Sequence, residues 1–210
     1  MANSKISALT LNTTPALTDT TVMVDDPAGT PATQEVSFTS LDSMYRLNDT
    51  AFSQSATVTV ASTADETTLV GAGLGSVTLG TASQNTAGKA LRVKLWGWLS
   101  NVATPTLNLK VKFGSVVIAA TGDVTLSADQ TDVQVEIEVD IVTRTTGATG
   151  TVIAAGRARV GTVWYPMLNT AVSSALDLTS ALVANVTADF SASDAGNSIK
   201  AAIILVEKLN

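Results

Sequence analysis

Residues 132–144 read DVQVEIEVDIVTR, and this stretch decides the fold. Val133, Val135, Ile137, Val139 and Ile141 recur at every second position, with Gln134, Glu136, Glu138 and Asp140 between them. Successive side chains of a strand point to opposite faces, so the pattern describes a ribbon with one apolar and one wet face. An amphipathic helix would need its apolar residues every three or four positions. A one-residue slip would turn every valine into water, so the register is firmly specified. The chain is predicted to be all-β.

Similar runs recur on both sides of this stretch. They lie at 56–62, 67–70, 76–80, 90–100, 106–113, 115–120, 151–160, 182–190 and 198–208, parted by clusters of Gly, Asn, Asp and Pro. Nine or ten short strands without a helical period predict a sandwich or a barrel over residues 51–210. Residues 162–179 fit least well. Their Trp164-Tyr165-Pro166 suggests an edge strand or a loop, because proline cannot donate to a sheet ladder.

Residues 1–50 read as a short extended arm. Residues 6–11 and 20–25 are extended pieces, Asp26-Pro27-Ala28-Gly29 is a turn signal, and residues 35–38 return as a third piece. Residues 40–45 suit one helical turn with Ser40 as its N-cap. Residues 46–55, RLNDTAFSQS, read as a linker. So short an arm buries no core of its own, and it is expected to dock on something else.

The wet faces sort the strands. Arg92 and Lys94 lie on one, and Asn108, Lys110 and Lys112 on another, while residues 132–144 present acids. Opposite charges on neighbouring strands stabilise by roughly 0.2–1 kcal/mol per pair. A hairpin folded about Gly147-Ala148 sets Glu138 opposite Arg157 and Glu136 opposite Arg159. Val135, Ile137 and Val139 then face Val160, Ala158 and Gly156. A register shifted by two residues keeps the faces and swaps the ion pairs.

Composition excludes several functions. A net charge of −6 over 210 residues and a pI near 4.5 oppose binding to nucleic acid, whose phosphates would be repelled. With no cysteine and no histidine, thiolate chemistry, Ser-His and Cys-His nucleophiles and most zinc sites are ruled out. The longest apolar run, residues 201–206, is far short of the roughly 20 residues of a membrane span, so no membrane partner is expected.

The remaining motifs favour plain structural explanations. Residues 70–76, VGAGLGS, fail the G-x-G-x-x-G spacing and read as a flexible turn. Glu136 and Glu138 would stand about 6.5–7 Å apart, a glycosidase-like spacing, yet read better as exposed acids paired with arginines. Asp19, Asp25 and Asp26, and Asp129 with Asp132, lack a calcium-loop pattern and read as turn residues. No catalytic residue, cofactor or metal is expected, and the chain reads as a non-enzyme.

Two features point to partners. Trp96 and Trp98 share the face of Arg92 and Lys94, where indoles would sit under a neighbouring subunit or stack on a sugar. In residues 198–208, strict alternation puts Ile199, Ala201, Ile203 and Leu205 on one face and Ala202, Ile204 and Val206 on the other. A strand apolar on both sides is covered on both sides. Trp96, Trp98, Ala202, Ile204 and Val206 are therefore the expected oligomer interface.

Residues 5–9 (KISAL), Thr14-Pro15, residues 20–25 (TTVMVD) and residues 34–41 (QEVSFTSL) together resemble the N-terminal part of bacteriophage fibre and head-decoration proteins. The remainder is similar to the single jelly-roll domains of trimeric phage capsid cement and fibre proteins, most closely in GKALRVKLWGWLSN (88–101) and DAGNSIKAAIILVEKL (194–209). The resemblance implies an antiparallel two-sheet sandwich, jelly-roll-like, over residues 51–210, and a trimer on a virion, with the capsid surface favoured over the tail. It implies that Ile6, Leu9, Val22, Val24, Val36, Phe38 and Leu41 dock on the major capsid protein or another virion protein. The alternative is a tail fibre or receptor-binding module holding a host surface glycan at Trp96, Trp98 or Trp164.

Overall fold

A computed structural model of the chain describes residues 20–25, 32–37, 49–169 and 176–210. Two units separate, Met1–Leu47 and Asn48–Asn210. In the first, β1 (Thr20–Asp25) and β2 (Ala32–Ser37) form an antiparallel hairpin. Val22 stands opposite Glu35, Val24 opposite Thr33 and Val36 opposite Thr21. Ile6, Leu9, Phe38 and Leu41 lie outside the described residues, as do the 6–11 piece and the 40–45 turn.

The second unit is built from short antiparallel strands. Its first half holds β3 (Asp49–Gln54), β4 (Val58–Ala61), β5 (Thr67–Thr68), β6 (Gly73–Gly75), β7 (Thr78–Leu79), β8 (Ala90–Ser100) and β9 (Thr106–Phe113). There follow β10 (Val116–Ala120), β11 (Val124–Thr125), β12 (Val133–Thr145), β13 (Thr151–Val160), β14 (Val163–Asn169), β15 (Leu182–Phe190) and β16 (Ser198–Lys208). Eight of these strands form one sheet in the order β14-β13-β12-β8-β16-β3-β6, with β4 also on β16. Six form the other around β10-β9-β15-β5, with β11 on β9 and β7 on β15. The result is the expected antiparallel two-sheet sandwich.

Alternation supplies the core. Leu91, Val93, Leu95 and Leu99 of β8 and Val135, Ile137, Val139 and Ile141 of β12 turn inward from the larger sheet. Leu107, Leu109, Val111 and Phe113 of β9 and Ala184, Val186, Ala188 and Phe190 of β15 meet them from the smaller one. Fully burying one such leucine, valine or phenylalanine contributes about 1.5–3 kcal/mol. The β12–β13 hairpin takes the first of the two registers proposed, with Glu136 opposite Arg159, Glu138 opposite Arg157 and Val139 opposite Gly156.

Three local readings are corrected. The stretch read as a linker contains β3, an interior strand pairing with both β16 and β6. Its polar sequence misleads because Gln54 is buried together with Phe52. The glycine-rich stretch contributes β6, not only a turn. A Cβ on Gly73 would strike the Phe52 ring and the Ser53 carbonyl, so glycine lets this edge strand lie close against β3.

The third correction concerns β16. Its register shifts between Ala201 and Ile203, a β-bulge against β8. A bulge inserts one residue and reverses the facing beyond it. Ile199 and Ala201 point inward, as do Ile204 and Val206, which are fully buried in the core. Ile204 and Val206 therefore cannot form an oligomer interface. Ile203, expected inside, is 45% exposed.

Candidate functional site

The bulge is prepared on three strands. Gly97 of β8 is paired with Ala201, and a Cβ there would collide with the Lys200 carbonyl. Gln54 of β3 reaches across and donates its side-chain amide to the Ala201 carbonyl at 2.8 Å. Its own oxygen accepts the Gly71 N–H at 2.8 Å. The backbone groups displaced by the bulge thus find partners, as buried backbone groups must. The consequence is on the outside: Ile203 comes to lie opposite Trp96.

One row of paired residues crosses five strands of this outer face. It runs Ile203, Trp96, Glu136, Arg159 and Trp164, from β16 to β14. Trp98 stands two residues from Trp96 on the same face, between Lys200 and Gln134 on the neighbouring strands. Trp98 is 44% exposed and Trp164 48% exposed, while Trp96 is half-buried between its neighbours. Ala202, expected at an interface, is the extra residue of the bulge and is half-buried.

Charged side chains fill the centre. Arg92 holds Asp140 through two parallel hydrogen bonds, Nε to Oδ1 at 2.6 Å and Nη2 to Oδ2 at 2.9 Å. It also approaches Glu138 at 3.4 Å. The hydrogen bond donated to Asp140, against the opposing effect of burial, holds the guanidinium proton more tightly than usual. Arg159 grips Glu136 in the same two-pronged way, at 2.6 and 3.1 Å, and Gln134 donates to Glu136 at 2.7 Å. Lys94 pairs with Glu207 at 3.2 Å.

Arg157 behaves differently from its sequence reading. It faces Glu138 across the strands, yet its guanidinium lies 4.3 Å over the Trp164 ring, with Arg159 at 5.5 Å. Only the Glu136–Arg159 pair of the two expected pairs forms. Cation–π stacking on an exposed indole is worth about 0.5–1 kcal/mol, comparable to a surface ion pair, so the two arrangements compete closely.

This distribution bears on chemistry. Both oxygens of Glu136 are occupied by Arg159, so the Glu136–Glu138 spacing is filled by a salt-bridged lattice rather than left open for a substrate bond. Asp129 accepts the Ala103 N–H at 3.1 Å, and Asp132 meets Lys200 at 3.3 Å. Among the described residues, no group of three or more acids is placed to hold a metal ion. Asp19 and Asp26 lie outside the described residues.

What the face offers is a flat surface of exposed aromatic and apolar side chains set among fixed donors and acceptors. Trp96 and Trp98 were visible in the sequence, while Ile203 was hidden by the bulge. Nothing in residues 198–208 marks it, because a strand without the bulge would show the same apolar run.

No protein-family model matches this sequence, and no curated protein matches it. Among solved structures the chain is similar to the CBM2 module of Lactobacillus casei BL23 phage J-1 evolved Dit, at 11% identity and a TM-score of 0.29. That match covers 62% of this chain and 66% of that one, just under two thirds of its length.

Proposed function

We propose that this chain is a non-enzymatic structural protein of a tailed phage particle, and that its sandwich is a saccharide-binding module working through the outer face of the larger sheet. The observation that carries the reading is the Trp96–Trp98–Ile203 cluster, with Trp98 and Ile203 exposed and Trp96 half-buried, framed by Gln134, Glu136 and Lys200. Pyranose rings present apolar C–H faces and hydroxyl edges. An indole takes the first, and the Gln134 amide and Lys200 ammonium beside it take the second. The bulge removes the chief argument for self-association, because β16 has a single core face and its outer side needs no cover. Attachment to the particle rests on the resemblance of residues 1–50 to phage arm sequences.

A glycan array read with Trp98→Ala and Trp96→Ala tests this function. Binding by the native chain that weakens at least tenfold in Trp98→Ala, with an unchanged melting temperature, is the expected result. Absence of binding to every glycan at high protein concentration contradicts it.

A cement or decoration role, as a trimer on the capsid, is the second reading. It is favoured by Trp164, Pro166 and Leu168, which make the outer side of edge strand β14 wholly apolar. Exposed apolar edges invite pairing with another chain. Light scattering on the purified chain distinguishes the two: a stable trimer, together with particles that lose heat resistance when stripped of it, supports cementing.

A further inference from the structure

The same outer face carries a depression away from the Trp96–Trp98 cluster. Ala155 of β13 is the cause. It sits between Asp140 of β12 and Leu168 of β14, its register partners on either side. A methyl group among longer side chains leaves a gap of about 370 Å³, lined by Glu138, Asp140, Ala155, Gly156 and Arg157. Ligand pockets run from about 300 to 1,000 Å³, so this space suits one small unit.

Its walls differ in character. Glu138 and Asp140 stand on the β12 side. Ala155, Gly156 and Arg157 form the β13 side, and Pro166 and Leu168 of β14, opposite Arg157 and Ala155, lie outside the lining. Asp140 has both oxygens on Arg92. Glu138 meets Arg92 through Oε1 alone, at 3.4 Å, and so keeps acceptor capacity. Arg157 is packed over Trp164 and has no carboxylate partner among the described residues, so its N–H donors are held in place by the ring. The cleft thus sets an acceptor-bearing β12 side against a β13 side that holds one donor group and the small apolar Ala155.

Charge narrows the ligand. Two carboxylates against Arg157 leave the lining at −1, and Arg92 behind Asp140 brings the sum to zero. Nothing here favours an anion. We infer that this cleft is a second saccharide subsite that seats one uncharged pyranose ring, its hydroxyl edge on Glu138 and Arg157 and its C–H face over Ala155 and Gly156. The inference rests on the reading of the outer face as saccharide-binding, and it adds a location and a selectivity.

The test uses the whole chain, an array holding both neutral and uronate- or sialate-bearing oligosaccharides, and titration calorimetry with the best ligand. Ala155→Trp fills the cleft from an exposed position, and Arg157→Ala removes its donors while Trp98 is left intact. The expected result is a preference for neutral glycans and at least a tenfold loss of affinity in Ala155→Trp, with melting unchanged. Preference for acidic glycans overturns the inference. Binding that depends on Trp98 but is unaffected by Ala155→Trp and Arg157→Ala also overturns it and leaves the broader reading standing. Failure of the native chain to bind any glycan removes both.

Discussion

Gln54 ties three segments together with one buried amide, accepting from Gly71 and donating to the bulge carbonyl of Ala201. Replacing it with leucine leaves a buried N–H and a buried carbonyl without partners, at a cost of about 1–3 kcal/mol per group. The unfolding free energy of Gln54→Leu from urea titration should fall by about that much, and an unchanged value would deny the amide this role. Gly97 is the second such residue. Gly97→Ala places a methyl group against the Lys200 carbonyl, so the strands must separate or the bulge must move. A loss of about 1–3 kcal/mol is expected, as for other overpacked sites. Neither role could be read from the sequence. A polar residue in a polar stretch gives no sign that it is buried, and a glycine between tryptophans does not reveal what approaches it.

Among the strands, those whose two faces differ most were legible. β8, β9, β13, β15 and β16 occupy the residues that alternation marked, and the β12–β13 register followed from matching apolar and charged partners together. Strands held by exceptions were not: β3 through its buried glutamine, β6 through close-packed glycines, and β14 through a proline on an edge. The bulge in β16 defeated alternation outright, because one extra residue exchanged the roles of Ile203 and Ile204.

Outside the smaller sheet, a different cluster sets an acid dependence. Glu66 accepts from Lys110 at 2.8 Å, from Lys112 at 2.5 Å and from Thr187 at 3.0 Å, and Lys110 also pairs with Asp189 at 2.8 Å. The Lys110 and Lys112 hydrogen bonds, in that order, hold the Glu66 carboxyl at about 2, from an ordinary 4.5. Lys110 in turn is held above its usual range, first by Asp189 and then by Glu66. A lowered carboxylate value means that the ionised form favours the folded state. Its contribution is complete above pH 4.5 and is lost as pH falls toward 2. Allowing for solvent screening of a partly exposed group, the term is about 1–2 kcal/mol. Urea unfolding free energies of the native chain and Glu66→Gln should therefore differ by that amount at pH 7 and converge near pH 2. A constant gap across the range would remove the cluster as the cause.

At the scale of the molecule, the sandwich gives one sheet an outer face that the core does not require to be apolar. The outward side of β12 is acidic, and basic residues on β8 and β13 answer it. Against that lattice, the exposed indoles of Trp98 and Trp164 stand out, because exposed tryptophan adds nothing to the core. Trp96 and Trp98 on a wet face were legible in the sequence, as was Trp164 at an edge. Their assembly into one surface was not, since it depends on β14 and β16 lying on either side of the β13-β12-β8 centre. The resemblance of residues 1–50 to phage arm sequences and the geometry of the outer face bear on different parts of the chain, and a particle reconstruction showing this chain on head or tail would join them.

The central claim is that the outer face of the larger sheet binds saccharide. Two-dimensional amide NMR of the labelled chain, titrated with the best neutral oligosaccharide from an array, tests it most directly. The account predicts shifts confined to Lys94–Trp98, Gln134–Asp140, Ala155–Arg159 and Lys200–Leu205, lost in Trp98→Ala. Shifts gathered on the smaller sheet, around Lys110 and Asp189, or none at saturating ligand, would contradict it.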